Sequence, residues 1–145
     1  MTTITRLTPD DRARWAELWT GYLTFYETSV PPETYDLTWR KLFDGRIHGF
    51  AARDNAGRLI GITHYMYHDT AWSAAPVCYL QDLFVDAALR GTGAGRKLIE
   101  AVADAAKAHG AGRLYWLTQD HNAVARQLYD RLAQNRGFIR YDYPL

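Results

Sequence analysis

The sequence predicts a mixed α+β domain in which one sheet is flanked by about four helices. Three observations lead to this class. The chain has 145 residues, which is close to the length of one typical domain of about 150 residues. Apolar residues recur every three or four positions in some segments and every two in others. A glycine-rich turn also separates a long apolar run from a helical pattern, as in a strand followed by a crossover helix.

The first half of the chain is predicted to supply a short strand, two helices and a β-hairpin. Thr8 followed by Pro and two acids is a typical helix start, because a hydroxyl caps the helix and acids favour its positive end. From Ile47 the apolar period changes to two, which is typical of strands. The predicted elements are a strand at 4–7, helices at 8–23 and 33–43, and strands at 48–53 and 59–67.

The second half is predicted to alternate strands and helices. The apolar run at 77–85, interrupted only by Gln81 and Asp82, indicates a central strand that is covered on both faces. The turn at 91–95 precedes a helix that ends at Gly110, where glycine favours termination. The remaining predicted elements are a strand at 114–117, a helix at 122–132 and a last strand at 138–143.

Composition excludes several classes of protein. The 17 Lys and Arg against 16 Asp and Glu give a net charge of +1, so nucleic acid and anionic membrane are not expected partners. Cys78 is the only cysteine, which excludes an intrachain disulfide. The five His show no paired ligand spacing, so no metal site is expected. Without a signal-peptide pattern or an apolar run near ~20 residues, we expect a cytoplasmic protein.

The glycine-rich turn has the composition of a phosphate-binding loop. Residues without side chains leave backbone N–H groups open, and the start of the next helix adds partial positive charge. Arg90 and Arg96 bracket the turn. Arg96 stands where a dinucleotide fingerprint needs glycine and a nucleotide P-loop needs lysine, so the remaining pattern is Arg90-x-x-Gly93-x-Gly95. An ordinary strand-to-helix turn is the alternative.

Together with this turn, three other pieces of sequence resemble the GNAT N-acetyltransferase superfamily, and the resemblance covers nearly the whole chain. Each piece alone is weak, whereas their order and spacing together are specific. The resemblance implies a twisted mixed sheet of six to seven strands that splays open between its fourth and fifth strands. The matching pieces are Tyr79–Val85, Leu89–Gly95, Asn122–Ala125 with Leu128-Tyr129, and Gly137-Phe138.

The resemblance also implies that acetyl-CoA binds in that splay. Its pantetheine would pair like an extra strand with the backbone of Leu83, Phe84 and Val85. Asn122 would hydrogen-bond the pantetheine arm, and Tyr129 would lie near the thioester sulfur. The residues implied for the pyrophosphate are Arg90, Gly91, Thr92, Gly93, Ala94, Gly95 and Arg96.

Aminolysis of a thioester assigns chemical roles to several of these residues. The reaction needs a neutral amine, N–H donors for the oxyanion and a proton for the departing thiolate. Tyr129, with an ordinary pKa of about 10, is a suitable acid; its alternative role is that of a core-facing helix residue. A backbone bulge near Leu83–Phe84 is expected to supply the oxyanion donor.

The base that removes the proton from the amine is less defined by the sequence. Gln81 stands where many polyamine-type relatives have an acid, and it can hold a water or the amine but cannot accept the proton. Asp82 is a candidate base, a substrate anchor or a structural residue. Because strand residues alternate faces, both can point into one site only if the strand has a bulge. His64 and His121 are candidate proton relays or satisfied polar residues.

Aromatic residues suggest where the acceptor binds. Tyr22 and Tyr26 lie one helical turn apart, and aromatic faces near a carboxylate suit a small cation. Trp15, Trp19 and Trp116 are assigned to the core. The predicted substrate-binding residues are Tyr22, Tyr26, Glu27, Trp72, Gln81 and Asp82.

The main hypothesis is N-acetylation of a primary amine by direct transfer from acetyl-CoA in a ternary complex, without metal or acyl-enzyme. The acceptor is expected to be a small polyamine, an amino-acid-like amine or a protein amine, and the chain is a candidate homodimer. The alternative is a non-catalytic acyl-CoA-binding regulatory module, which would bind CoA without turnover.

Overall fold

The computed structural model describes residues 1–145 as a five-stranded mixed sheet with four α-helices. The strand order follows the chain, with β1 at one edge and β5 at the other. The first four strands pair antiparallel, whereas β5 is parallel to β4. No helix combines the length and the apolar character needed to cross a bilayer. The elements are β1 (Thr3–Arg6), α1 (Arg12–Phe25), α2 (Pro32–Asp44), β2 (His48–Arg53), β3 (Leu59–His68), β4 (Val77–Val85), α3 (Ala94–His109), β5 (Arg113–Tyr115) and α4 (Ala123–Leu132).

The predicted count of six to seven strands is wrong, because the segment at 138–143 forms no strand. This segment follows α4 as irregular chain, and its Phe138 and Tyr141 side chains are 82% and 86% exposed. Its alternating pattern suits a strand, but the segment pairs with no neighbouring strand, and a strand needs such a partner to exchange backbone hydrogen bonds. The strand expected at 114–117 is also shorter than predicted, since only Arg113–Tyr115 pairs with β4.

The start of α1 and the end of α3 follow their sequence signals. The Thr8 N–H donates to Oδ2 of Asp11 at 2.8 Å, and a 3₁₀ turn at Pro9–Asp11 leads into α1. Gly110 ends α3 with a φ of +87°, a left-handed conformation that costs glycine little. Both helix ends therefore carry a local signal that the sequence alone makes visible.

Helices cover both faces of the sheet. On one face, α1 and α2 surround the fully buried Trp15. On the other face, α3 buries Leu98 and Val102 against β2, β3 and β4. β3 is buried continuously from Leu59 to Tyr65, whereas β4 contains only three buried residues in its first half. The strand covered on both faces is thus β3, rather than β4 as predicted.

The sheet opens between its fourth and fifth strands, as the sequence predicts. β4 and β5 pair over three residues only, ending at Tyr79 and Tyr115. Beyond this point β5 turns away, and the edge of β4 from Leu80 to Val85 has no strand beside it. A strand edge without a neighbour leaves backbone donors and acceptors available for another extended group.

A bulge in β4 decides which side chains reach this opening. Asp82 lies opposite His64, and Leu80 lies opposite Tyr65, so Gln81 has no partner on β3. The extra residue turns Asp82 towards α1 while Leu80 stays against α3. The bulge was expected near Leu83–Phe84; it lies at Gln81, because β4 changes there from a doubly paired strand to an open edge.

Candidate active site

A narrow pocket lies where β4 and β5 separate. Helices α1, α3 and α4 contribute walls, and the bulge of β4 forms part of its floor. Two predicted catalytic residues, Gln81 and Tyr129, therefore share one pocket with two predicted acceptor residues. The lining residues are Tyr22, Tyr26, Leu80, Gln81, Leu83, Ile99, Trp116, Leu117 and Tyr129.

Tyr129 projects from α4 into this pocket. Its ring packs edge-on against Trp116, with the ring centroids 5.5 Å apart. Burial raises the pKa of Tyr129 to about 12, and the neighbouring Tyr26 contributes a smaller part of this rise. The phenol therefore keeps its proton at neutral pH and is available as a proton donor in the pocket.

Asp82 lies beside the pocket on the α1 side of the sheet. Its Oδ2 is 3.0 Å from Nδ1 of His64, and its main-chain oxygen accepts a 2.8 Å hydrogen bond from the hydroxyl of Thr63. The Asp82 side chain is 13% exposed, whereas that of His64 is 2% exposed. The carboxylate is thus fixed from β3 and still has one side open to solvent.

Tyr22 of α1 and Tyr26, which directly follows this helix, lie close to Asp82. The rings of Tyr22 and Tyr26 are 4.9 Å apart and both line the pocket. Burial raises the pKa of Tyr22 well above its ordinary value, and the Asp82 carboxylate raises it further. The same two causes raise the pKa of Tyr26. Both phenols therefore remain protonated and surround Asp82 with neutral polar groups.

The glycine-rich turn presents five consecutive backbone N–H groups without a partner in the protein. From Thr92 to Arg96 none of them donates to a carbonyl; the next N–H, that of Lys97, bonds to the Gly93 oxygen at 3.1 Å. Gly91 and Gly93 have φ values of +86° and +83°, and the space where a Cβ would lie is open at both. The turn at the start of α3 therefore fits a pyrophosphate group.

The two arginines of the turn have different partners. Arg90 donates to the Val85 oxygen at 3.3 Å, and its guanidinium lies 5.5 Å from the ring centre of Phe84. Arg96 forms an exposed 2.8 Å ion pair with Glu100. Arg90 is thus held at the open edge of β4, while Arg96 is held by one surface pair that a bound anion can replace.

Asn122 is the residue that precedes α4. Its side-chain amide donates to the hydroxyl of Thr118 at 3.2 Å. The bond ties the amide to the chain segment that follows β5.

Two of the predicted acceptor residues lie outside the pocket. Trp72 is 79% exposed and packs over the guanidinium of Arg113 at 5.4 Å. Glu27 lines a separate surface depression with Thr24, Thr28 and Ser29. Trp116 packs against the core on the α3 side, as assigned from the sequence, and it also lines the pocket.

Sequence reasoning missed the apolar walls that Ile99 and Leu117 provide. Both belong to ordinary apolar patterns and carry no signal of their own. Cys78 was rejected as a nucleophile, and in the structure it is fully buried. Burial raises the pKa of its thiol to about 11, which disfavours the reactive thiolate.

Comparison with known proteins shows what the chain is similar to. A model of the acetyltransferase (GNAT) family matches residues 14–133. The sequence is 36% identical over 136 residues to the D-amino-acid N-acetyltransferase HPA3 of Saccharomyces cerevisiae, covering 92% of this chain and 84% of that protein.

Solved structures share the fold at low identity. The ribosomal-protein-alanine N-acetyltransferase from Brucella melitensis biovar Abortus 2308 has a TM-score of 0.85 at 20% identity, with 100% of both chains covered. AAC(6')-Iy in complex with the bisubstrate analogue CoA-S-monomethyl-acetylneamine has a TM-score of 0.87 at 17% identity, covering 100% of this chain and 99% of that one.

Proposed function

Because the chain belongs to the GNAT acetyltransferase family and is therefore an acyltransferase, we propose that it transfers acetyl from acetyl-CoA directly to a primary amine in a ternary complex. One observation carries this proposal. The Tyr129 phenol and the bulge at Gln81 share a pocket at the open edge of β4, and that edge leads to the five free N–H groups of the turn.

The residues of the opening fit acetyl-CoA, which supplies the activated thioester when bound. The N–H groups from Thr92 to Arg96 would hold the pyrophosphate, with Arg90 and Gly91 at its side. The backbone of Leu83, Phe84 and Val85 would pair with the pantetheine, and Asn122 would bond to it from the start of α4. The supporting facts are the free N–H groups from Thr92 to Arg96 and the edge of β4 that has no strand beside it beyond Tyr79.

The pocket residues divide the chemistry of transfer among them. Backbone N–H groups around Gln81, freed from the β3 ladder by the bulge, would stabilise the oxyanion. Tyr129 would protonate the departing thiolate. The amine must first lose a proton, and Asp82 is the carboxylate that neighbours the pocket residues Tyr22 and Tyr26. Gln81 would orient the amine or the water through which that proton leaves.

We propose a small amine, with free amino acids as the first class to test. The pocket is narrow and aromatic, and Tyr22 with Tyr26 offers ring faces that attract an ammonium group. HPA3, which is 36% identical, is named a D-amino-acid N-acetyltransferase. Polyamines and protein amines have the same reacting group and are the competing acceptors.

Thiol release from acetyl-CoA tests this function. The panel comprises D- and L-amino acids, polyamines, an aminoglycoside and a lysine-containing peptide. We expect one class of small amine to accelerate thiol release and to appear as its N-acetyl product by mass spectrometry. A rise in melting temperature with CoA but no turnover with any amine would instead support the non-catalytic module.

We also propose that two copies of the chain pair through the segment after α4. Its apolar residues alternate with polar ones and are at least 75% exposed, and the outer edge of β5 is unpaired. Light scattering should give about twice the 16.6 kDa of one chain, and Ile139→Ser with Tyr141→Ser should give one chain mass. A monomeric wild type would contradict this pairing. The alternating apolar residues are Ile139, Tyr141, Tyr143 and Leu145.

A further inference from the structure

A buried chain of hydrogen bonds runs from the core of α1 to Asp82. Nε1 of Trp15 lies 3.0 Å from Nε2 of His64, and Nδ1 of His64 lies 3.0 Å from Oδ2 of Asp82. An indole N–H can only donate, so Nε2 must accept. The proton of the imidazole therefore lies on Nδ1 and points at Asp82.

Trp15 also decides the charge of the His64 ring. An imidazolium carries a proton on both nitrogens, so protonation would set an N–H of His64 against the indole N–H at 3.0 Å. The other titratable groups beside His64 and Asp82 are the phenols of Tyr22, Tyr26 and Tyr79. The geometry consequently favours a neutral ring.

The bulge in β4 makes this contact possible. It brings Asp82 opposite His64 on the neighbouring strand, and the hydroxyl of the adjacent Thr63 bonds to the main-chain oxygen of Asp82. Both the carboxylate and the backbone of Asp82 are thus held from β3. His64 lies against Oδ2, and the hydroxyl of Tyr22, which lines the pocket, is the neighbour of the same carboxylate on the pocket side.

We propose that His64 is a positioning residue: a neutral imidazole that aims the Asp82 carboxylate at the acceptor amine, with its tautomer fixed by Trp15. It does not relay the proton, since its only proton is already donated to Asp82 and its second nitrogen is occupied by the indole. This inference rests on the proposed function, because it requires Asp82 to receive the proton of the amine or to bind it.

Two substitutions of His64 distinguish the effect of losing its N–H donor from the effect of losing the volume of its ring. His64→Asn keeps an N–H near the position of Nδ1, whereas His64→Leu has a similar volume without it. We expect His64→Leu to lower kcat/KM for the amine by about 10- to 100-fold with the KM for acetyl-CoA unchanged. His64→Asn should stay within about threefold of the wild type, because its amide can still donate to Asp82.

The same pair in an Asp82→Asn background distinguishes positioning from packing. If His64 acts through Asp82, His64→Leu should lower kcat/KM for the amine by less than about twofold in this background. An equal loss in both backgrounds, or no loss with Asp82 intact, overturns the proposal. If the wild type acetylates no amine, the proposed function fails and the role of His64 fails with it.

Nitrogen NMR of the ring gives a readout that does not depend on activity. In the wild type at pH 7.5, the His64 ring should show a protonated Nδ1 and an unprotonated Nε2. The chain has five His, and the signal that is absent from the spectrum of His64→Asn is that of His64. A protonated Nε2, whether in the other tautomer or in an imidazolium, overturns the proposed arrangement.

Discussion

The two faces of the sheet are buried by different kinds of contact. On the α3 face, the side chains of Leu98, Val102 and Cys78 are completely buried among apolar residues. On the α1 face, the buried Trp15 is bonded to His64, and Nε1 of Trp19 is a buried nitrogen without a partner. Apolar packing stabilises without specifying direction, whereas hydrogen bonds fix the orientation of particular atoms.

This difference separates stability from chemistry within one small domain. Substitutions on the α3 face should change mainly the free energy of unfolding. Substitutions at the pocket should change mainly the rate, whereas substitutions of charged contacts near α1 should change the pH dependence of stability. Each prediction below tests one side of this division.

The largest expected loss of stability is that of Leu98→Ala on the α3 face. Leu98 is 0% exposed, and its truncation should lower the free energy of unfolding by about 2–5 kcal/mol. Urea denaturation measures the loss, and kcat per folded molecule should stay unchanged. Lys107→Ala on the exposed side of α3 is the control. Equal stability of the two variants would contradict the division.

Tyr129→Phe should lower kcat by about 100-fold with little change in melting temperature. The substitution removes only the hydroxyl, whose proton is expected to reach the thiolate. Because the pKa of Tyr129 is raised to about 12, the wild type should lose no activity through this group up to about pH 11. Tyr143→Phe in the exposed terminal segment is the matched control. A rate like that of the wild type would remove Tyr129 from the mechanism.

Asp11→Asn tests a buried ion pair on the α1 side. Two hydrogen bonds from Arg53, at 2.9 and 2.7 Å, hold the pKa of Asp11 below its ordinary value, against a smaller opposing effect of burial. We expect a loss of about 1.5–3 kcal/mol at pH 7. Chemical denaturation at several pH values measures this loss.

The sign of the pH dependence follows from the direction of that shift. The folded-state pKa of Asp11 is lowered, so the stabilisation is fully present above the unfolded pKa of about 3.9. It is lost as the pH falls through the lower folded value. The difference between wild type and Asp11→Asn should therefore shrink in acid. Asp36 forms a largely exposed ion pair with Arg12. Asp36→Asn should therefore lower the free energy of unfolding by less than Asp11→Asn does at pH 7.

The smallest expected effect on the reaction is that of Cys78→Ala. The thiol is buried and its pKa is raised to about 11, so only about 0.1% is thiolate at pH 8. A thiol reagent should modify the folded protein much more slowly than the denatured protein. The substitution should leave kcat unchanged, and a large drop in kcat would reopen a covalent route.

Much of the fold could be predicted because its signals are local. The apolar run at 77–85 and the glycine at 110 lie within one or two residues of the observed ends of β4 and α3. The failed strand at 138–143 has an equally good local pattern. A strand also requires a neighbouring strand, and a pattern in one segment carries no information about that neighbour.

The site was predictable in its parts and not in its arrangement. The spacing of Gly93 and Tyr129 indicated a cofactor turn and an acid, yet nothing local placed Trp72 away from the pocket or Trp116 at its wall. The position of Asp82 depended on a bulge two residues earlier than expected. A shift of one residue in a strand reverses the face on which every later side chain lies.

The sequence by itself determined the elements, the anion-binding turn and the residue types that the chemistry needs, because each depends on neighbours along the chain. Only the tertiary structure decided that β5 leaves β4 after three pairs, that Gln81 bulges, and that His64 lies opposite Asp82. These are relations between strands far apart in the chain. They arise from how the two faces of the sheet are packed at the same time.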